Sequence, residues 1–115
     1  MKGMGFFLRL KCAMEGIFFA LKSESSFRIQ AAAALAALLS LFVLRPSLPW
    51  CALIVVMIGL VLAAELFNTA IEQVLDGLHP ERAEFVRIAK DCSAAAVLVL
   101  SAASIAVFFM MVASS

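Results

Sequence analysis

Long stretches without a charged residue constrain this chain more than any other feature of its sequence. Residues 92–113 and residues 50–64 contain no charged side chain, and residues 29–44 are mostly alanine and leucine. An α-helix needs about 20 apolar residues to cross the hydrocarbon core of a bilayer, which is about 30 Å thick. With a hydrophobic content of 65%, the chain is predicted to be an all-α integral membrane protein, because helices satisfy their own backbone hydrogen bonds in lipid.

Turn-forming residues divide the chain into three spans within a single domain, residues 1–115. Proline cannot continue a helix, so Pro46 and Pro49 separate the first span from the second. Gly77 and Pro80 separate the second span from the third. The predicted spans are residues 25–45, 50–75 and 91–113.

The basic residues predict how the chain is oriented in the membrane. Of the nine lysines and arginines, only Arg45 lies between the first and second spans. The others precede residue 29 or lie between the second and third spans. The positive-inside rule then places the N-terminus and the second loop in the cytoplasm and the C-terminus on the far side. A net charge of +1 does not indicate a nucleic-acid-binding surface.

Two further segments are predicted to be helices outside the spans. Residues 4–23 combine charged side chains with apolar side chains at near-helical spacing, which predicts an amphipathic helix on the cytoplasmic membrane surface. Residues 81–91 predict a short polar helix that leads into the third span. The apolar face of the N-terminal helix consists of Phe6, Phe7, Leu10, Met14, Ile17, Phe18 and Leu21.

Four polar side chains at the end of the second span form a stripe on one helix face. Glu65, Asn68, Glu72 and Asp76 are spaced so that a helix of about 3.6 residues per turn aligns them. Acids inside a membrane are costly and usually functional, so Glu65, the innermost, is a candidate general base. Carboxylate and amide oxygens suit Mg²⁺ that shares its ligands with phosphate. The alternatives are a structural acid and an ordinary solvated helix end.

Other polar residues are ambiguous in isolation. Glu24 could be a metal ligand from a second helix, although an acid at a helix boundary is the simpler interpretation. Lys90 could bind phosphate or mark the membrane interface, and His79 is a turn residue beside a proline. The sequence has no P-loop, glycine-rich kinase loop or dinucleotide fingerprint. Small apolar packing roles are expected for three cysteines that lack metal-binding spacing: Cys12, Cys51 and Cys92.

Several of these residues together resemble a known family. The motif Glu-x-x-Asn-Thr-Ala-Ile-Glu at residues 65–72, then Asp76 and the Ala-Lys-Asp of residues 89–91, resembles the small bacterial lipid kinases, prokaryotic diacylglycerol kinase and undecaprenol kinase. Gly16 and the segment 24–28 resemble the N-terminal signature of that family. The resemblance covers nearly the whole chain.

The resemblance implies an ATP- and Mg²⁺-dependent lipid kinase of the bacterial inner membrane. It implies a homotrimer whose active sites lie between subunits at the cytoplasmic face, with Glu65 as the base that deprotonates the lipid hydroxyl. Glu24 and Glu72 would hold Mg²⁺. The residues implied at the nucleotide are Asn68, Asp76, Glu81, Lys90 and Asp91, and those implied at the lipid are Glu65, Phe27, Arg28 and Ala94.

The preferred lipid and the function class each have an alternative. Residues 9–17, 68–70 and 79–81 are more similar to the undecaprenol kinase branch than to the diacylglycerol branch, whereas Arg82 and Ala83 depart from both. A small proton-coupled transporter could also use one membrane-embedded glutamate, but such proteins usually have four spans. In an assembly or scaffold protein, Glu65 would be replaceable.

Overall fold

The computed structural model describes residue 3 and residues 5–114, and its regular elements there are all α-helices. Lys2, one of the basic residues counted above, and Met4, the first residue of the predicted surface helix, lie outside the described part. The four helices are α1 (Phe6–Ser23), α2 (Ser25–Leu44), α3 (Leu48–Leu78) and α4 (Glu84–Ser114).

Three of the helices are long and apolar enough to cross a membrane: α2, α3 and α4. Large apolar side chains are exposed along them, and Phe27 is the only buried residue of α2. In water such a surface would be unstable, but in a bilayer it faces lipid or other membrane helices. The predictions of an all-helical fold and of three candidate spans are therefore confirmed.

A sharp corner joins α1 to α2. Glu24 separates the two helices and has an extended backbone, with φ of −117° and ψ of 108°. The Arg28 guanidinium donates hydrogen bonds to the carbonyl oxygens of Leu21, at 2.8 Å, and Lys22, at 3.0 Å. The last carbonyls of a helix lack partners within that helix, so Arg28 caps α1 from the first turns of α2.

The turn from α2 to α3 follows the two prolines. Arg45 ends α2 in the left-handed conformation, with φ of 48°. Helix α3 begins at Leu48, so Pro49 lies in its first turn, where the missing N–H of proline costs nothing. Proline therefore ends one span and begins the next, as the sequence predicts.

Helix α3 is central to the chain because α1, α2 and α4 all contact it. It continues through Gly77 to Leu78, beyond the predicted end at residue 75. The predicted polar helix and the third span are one continuous helix, α4, which begins at Glu84. No proline or glycine interrupts residues 84–91, and Arg87 pairs with Glu84 and Asp91 at helical spacing.

Candidate active site

Glu65 is buried where α3 meets the N-terminal end of α2. Its residue is only 2% exposed, and the Ser26 hydroxyl donates a hydrogen bond of 2.6 Å to its Oε1 atom. Ser26 is the second residue of α2, so the carboxylate lies beside the positive end of that helix dipole. A buried carboxylate needs such partners, because leaving it unpaired in an apolar environment is costly.

One turn further along α3, toward its C-terminal end, an amide and a carboxylate are connected to α4. Asn68 donates through Nδ2 to Glu72 Oε1 at 2.9 Å. The Ser93 hydroxyl donates to Asn68 Oδ1 at 2.7 Å, and it also lies 3.0 Å from the carbonyl oxygen of Lys90. Ser93 is buried and Asn68 is half-buried. The two ends of the Asn68 amide are thus assigned to different partners.

An ion pair joins α3 to α4 at the outer end of the stripe. Lys90 Nζ lies 2.6 Å from Asp76 Oδ1. This hydrogen bond raises the pKa of Lys90 above its ordinary value, and the charge of Asp76 adds to the effect. Lys90 precedes the uncharged part of α4, which starts at Cys92, and its ammonium remains charged at neutral pH. Asp91 is not part of this contact, because it pairs with Arg87 on its own helix.

The four side chains of the predicted stripe do share one face of α3, within an arc of about 80° at 3.6 residues per turn. The inner one, Glu65, contacts α2. Asn68 and Asp76 contact α4. The stripe therefore follows the groove between α2 and α4, from a buried acid at one end to an exposed ion pair at the other.

Two cavities lie near the ends of this stripe. A cavity of about 530 Å³ opens beside the α3–α4 loop, and Asp76, Glu81 and Lys90 are among the residues that line it. A cavity of about 340 Å³ lies between α2, α3 and α4 and is almost entirely apolar. Gln30 and Val61 line the apolar cavity, one helical turn from Ser26 and Glu65 respectively. The buried acid thus lies next to the apolar cavity.

The oxygen donors suit a magnesium ion that also binds a substrate. Glu24 is half-buried, and its side chain has no hydrogen bond or ion pair to the described residues. Glu72 uses only Oε1 in its bond to Asn68. Within residues 5–114, no three acidic, histidine or cysteine side chains cluster around a metal position. Mg²⁺ is usually held by one or two carboxylates plus water and phosphate rather than by a protein cage, so this donor set fits Mg²⁺.

The remaining predicted residues lie in different surroundings. Glu81 lies 3.1 Å from His79 in the loop, measured from Oε2 to Nδ1. Phe27 is buried and Arg28 caps α1, so both contribute to the α1–α2 corner. Ala94 is exposed on α4.

Two residues of the site, Ser26 and Ser93, were not predicted from the sequence. Ser93 follows Lys90 by three residues, so it shares a helix face with a predicted residue. Ser26 is two residues from Glu24 at a predicted helix start. These spacings were the only sequence signals available for the two serines.

A family comparison decides the class of the protein. The family model described as prokaryotic diacylglycerol kinase matches residues 11–112. The chain belongs to the prokaryotic diacylglycerol kinase family. It is also 34% identical to the undecaprenol kinase of Bacillus subtilis (strain 168) over 99 residues, which are 86% of this chain and 80% of that protein.

Family membership confirms the resemblance found in the sequence. The protein is a membrane lipid kinase, a transferase that requires a nucleotide co-substrate. The transporter and scaffold alternatives are disfavoured, because neither requires the family motif.

Proposed function

We propose that this lipid kinase transfers the γ-phosphoryl group of ATP to the hydroxyl of undecaprenol at the cytoplasmic face of the bacterial inner membrane. The observation that carries the proposal is the buried Glu65 carboxylate at the inner end of the polar stripe. A lipid hydroxyl resides at the membrane interface, whereas ATP arrives from the cytoplasm. The two substrates therefore need a site that runs from an apolar to a polar environment.

Glu65 is the proposed general base. Its carboxylate accepts the proton of the lipid hydroxyl as the hydroxyl oxygen attacks the γ-phosphorus, the bond from that phosphorus to the β,γ-bridging oxygen breaks, and ADP leaves. Phosphoryl transfer depends mostly on positioning and on charge neutralisation, since the protein has little covalent chemistry to perform. The contacts of Glu65 to α2 and of Asn68 to α4 supply that positioning.

Glu24 and Glu72 are the proposed magnesium ligands. Glu24 has no competing partner among the described residues, and Glu72 keeps one carboxylate oxygen free of the bond to Asn68. Bound Mg²⁺ neutralises the charge that develops on the phosphate oxygens. The two glutamates lie on different elements, the α1–α2 corner and α3, so metal binding would also hold α1 and α2 against α3.

The nucleotide is proposed to bind at the outer end of the stripe. Lys90 presents a permanent positive charge to the phosphates, and Asp76 holds that charge in place. The cavity beside the α3–α4 loop offers room there and includes Glu81. Asn68 and Asp91 complete the proposed nucleotide site. Arg82 and Ala83, which depart from the family pattern, line the same cavity.

The lipid is proposed to lie in the groove between α2 and α4. The apolar cavity next to Glu65 accommodates hydrocarbon without polar groups to satisfy, which suits a polyprenol. The name of the Bacillus relative, undecaprenol kinase, supports the same lipid. Phe27, Arg28 and Ala94 are the other proposed lipid contacts. We further propose a homotrimer with the N-terminus and the α3–α4 loop in the cytoplasm, and α1 on the membrane surface.

A phosphorylation assay with a single substitution tests the proposed base. The purified protein in detergent micelles is incubated with Mg²⁺, radiolabelled ATP and either undecaprenol or diacylglycerol. Glu65→Gln keeps the shape of the side chain but cannot accept a proton, so lipid phosphorylation should fall about 10²- to 10⁴-fold. Glu15→Gln is the control. It makes the same change at an exposed position of α1 and should retain the wild-type rate of lipid phosphorylation.

A comparison of the phosphorylation rates of the two lipids tests the proposed substrate separately from the lipid kinase class. Faster phosphorylation of undecaprenol supports the proposal, whereas faster phosphorylation of diacylglycerol overturns the choice of lipid and leaves the kinase class unchanged. Wild-type activity in Glu65→Gln would remove the assignment of the base.

A further inference from the structure

We infer that Ser26 is a positioning residue for the reaction: its hydroxyl fixes Oε1 of Glu65 and leaves Oε2 as the atom that accepts the lipid proton. The inference rests on the proposed role of Glu65 as the base. It adds a residue from α2 to a reaction that the sequence motif places on α3.

The hydrogen bond itself is short and joins two elements. Ser26 Oγ lies 2.6 Å from Glu65 Oε1, within the range of charge-assisted O–H···O⁻ bonds, which are stronger than neutral ones. The Thr69 hydroxyl does not duplicate it, because Thr69 donates to the backbone carbonyl of Glu65. Among the described residues, Ser26 is the only side-chain donor to this carboxylate.

The corner between α1 and α2 keeps Ser26 in place. Glu24 ends α1 with its backbone N–H bonded to the carbonyl oxygen of Ala20, which is fully buried. Arg28, half a turn after Ser26, is tied to two carbonyl oxygens of α1. A hydroxyl on such a fixed backbone can restrict the rotamer of a carboxylate, which a mobile side chain could not do.

The second carboxylate oxygen of Glu65 has a different environment. Within the described residues, no fully buried side-chain nitrogen or oxygen lacks a hydrogen-bond partner. Oε2 has no partner there, so it must retain some accessible surface although the residue is only 2% exposed. The base therefore presents a bonded oxygen, Oε1, and an accessible oxygen, Oε2. The hydrogen bond from Ser26 determines which of the two oxygens is accessible.

A merely structural tie between α2 and α3 is the competing interpretation, and kinetics separates the two. The series Ser26→Thr, Ser26→Cys and Ser26→Ala keeps, weakens and removes the hydroxyl donor. If Ser26 positions the base, kcat should be near wild type in the threonine variant, reduced in the cysteine variant and about 10- to 100-fold lower in the alanine variant, as for loss of a charge-assisted bond. The KM values for lipid and ATP should stay within about twofold, because substrate binding is unchanged.

Controls make the result specific to the Glu65 carboxylate. Ser25→Ala removes the neighbouring exposed hydroxyl, which bonds to none of the described residues, and should leave kcat unchanged. Combining Ser26→Ala with Glu65→Gln should cause no further loss beyond Glu65→Gln alone, because Ser26 acts through the carboxylate.

The outcomes separate this inference from the proposed function. Wild-type activity in Glu65→Gln would overturn both. A large loss in Glu65→Gln together with wild-type kcat in Ser26→Ala would overturn only the role of Ser26. The role of Ser26 would also be overturned if kcat fell as far in Ser26→Thr as in Ser26→Ala. It would be overturned as well if the loss of activity in Ser26→Ala came from a raised KM rather than from a lower kcat.

Discussion

At the scale of single residues, Ser93 holds the Asn68 amide in the orientation that the Glu72 carboxylate requires, because a carboxylate only accepts hydrogen bonds and so must face the amide nitrogen. Its hydroxyl donates to Asn68 Oδ1 and leaves Nδ2 to donate to the carboxylate. In Ser93→Ala the amide oxygen loses this partner, and loss of one buried hydrogen bond costs about 1 kcal/mol. Since Asn68 is proposed to contact the nucleotide, we expect the KM for ATP to rise about fivefold, with kcat changed less.

Ser40 provides the matched control for this prediction. It is a half-buried serine in a membrane helix, whereas Ser93 is buried, and among the described residues its hydroxyl bonds only to the carbonyl oxygen of Ala37 on its own helix. Ser40→Ala should leave the KM for ATP unchanged in the same steady-state assay. An equal rise in both variants would mean that the effect comes from helix stability rather than from Asn68.

Ser26 and Ser93 show why part of the site could not be predicted from the sequence. The polar stripe was predictable, because charged and amide groups are costly in an apolar helix and therefore indicate a function. Helical periodicity then shows that its members share one face: Glu65, Asn68, Glu72 and Asp76. Serine gives no such signal, because in an apolar helix it commonly bonds a carbonyl of its own preceding turn. Ser40, Ser104 and Ser114 do so here. Ser26 instead bonds to another helix, and Ser93 lies within hydrogen-bond distance of both its own preceding turn and another helix.

At the scale of helices, the Asp76–Lys90 pair tests whether charges at the outer end of α3 and α4 serve packing or substrate. Exchange of the two residues, Asp76→Lys with Lys90→Asp, recreates the ion pair with opposite polarity. The pair is exposed, and such pairs contribute little to stability. We therefore expect thermal unfolding of the exchanged protein to match wild type while the KM for ATP rises at least tenfold, because the ammonium that meets the phosphates has moved.

Comparison with the single variants completes this test. Lys90→Met should raise the KM for ATP as the exchange does, since both remove the cation from α4. Recovery of wild-type ATP affinity in the exchanged protein, after its loss in the single variant, would show that the pair is only a link between helices. Unfolding would be followed by circular dichroism in the same detergent.

The helix ends show how far sequence patterns carry at this scale. The break between the first two spans was predictable because Pro46 and Pro49 cannot lie in a helix beyond its first turn. The continuity of α4 was less so, because its polar first turns and apolar remainder look like two segments. They join because helix propagation needs no change of polarity, only the absence of a breaker between Glu84 and Cys92.

At the scale of the whole molecule, exposed apolar side chains indicate that the protein lies in a membrane, but they do not indicate the number of subunits. Leu35, Leu39 and Phe42 are exposed on α2, as are Leu98 and Val99 on α4. In water such residues would mark an interface, but lipid tails are as apolar as leucine and cover them equally well. The homotrimer thus remains a proposal, whereas the charged loops carry a signal for orientation.

Orientation can be tested with single cysteines in the two loops. In a protein whose three cysteines are replaced by alanine, Ser47→Cys lies between α2 and α3 and Arg82→Cys lies between α3 and α4; both positions are exposed. With the N-terminus in the cytoplasm, a membrane-impermeant maleimide should label Ser47→Cys in intact spheroplasts and Arg82→Cys only after lysis. The reason is that only Arg45 opposes the basic residues at the other end of the spans. Labelling in the reverse pattern would place Glu65 near the outer face, away from cytoplasmic ATP, and would contradict the proposed reaction together with the orientation.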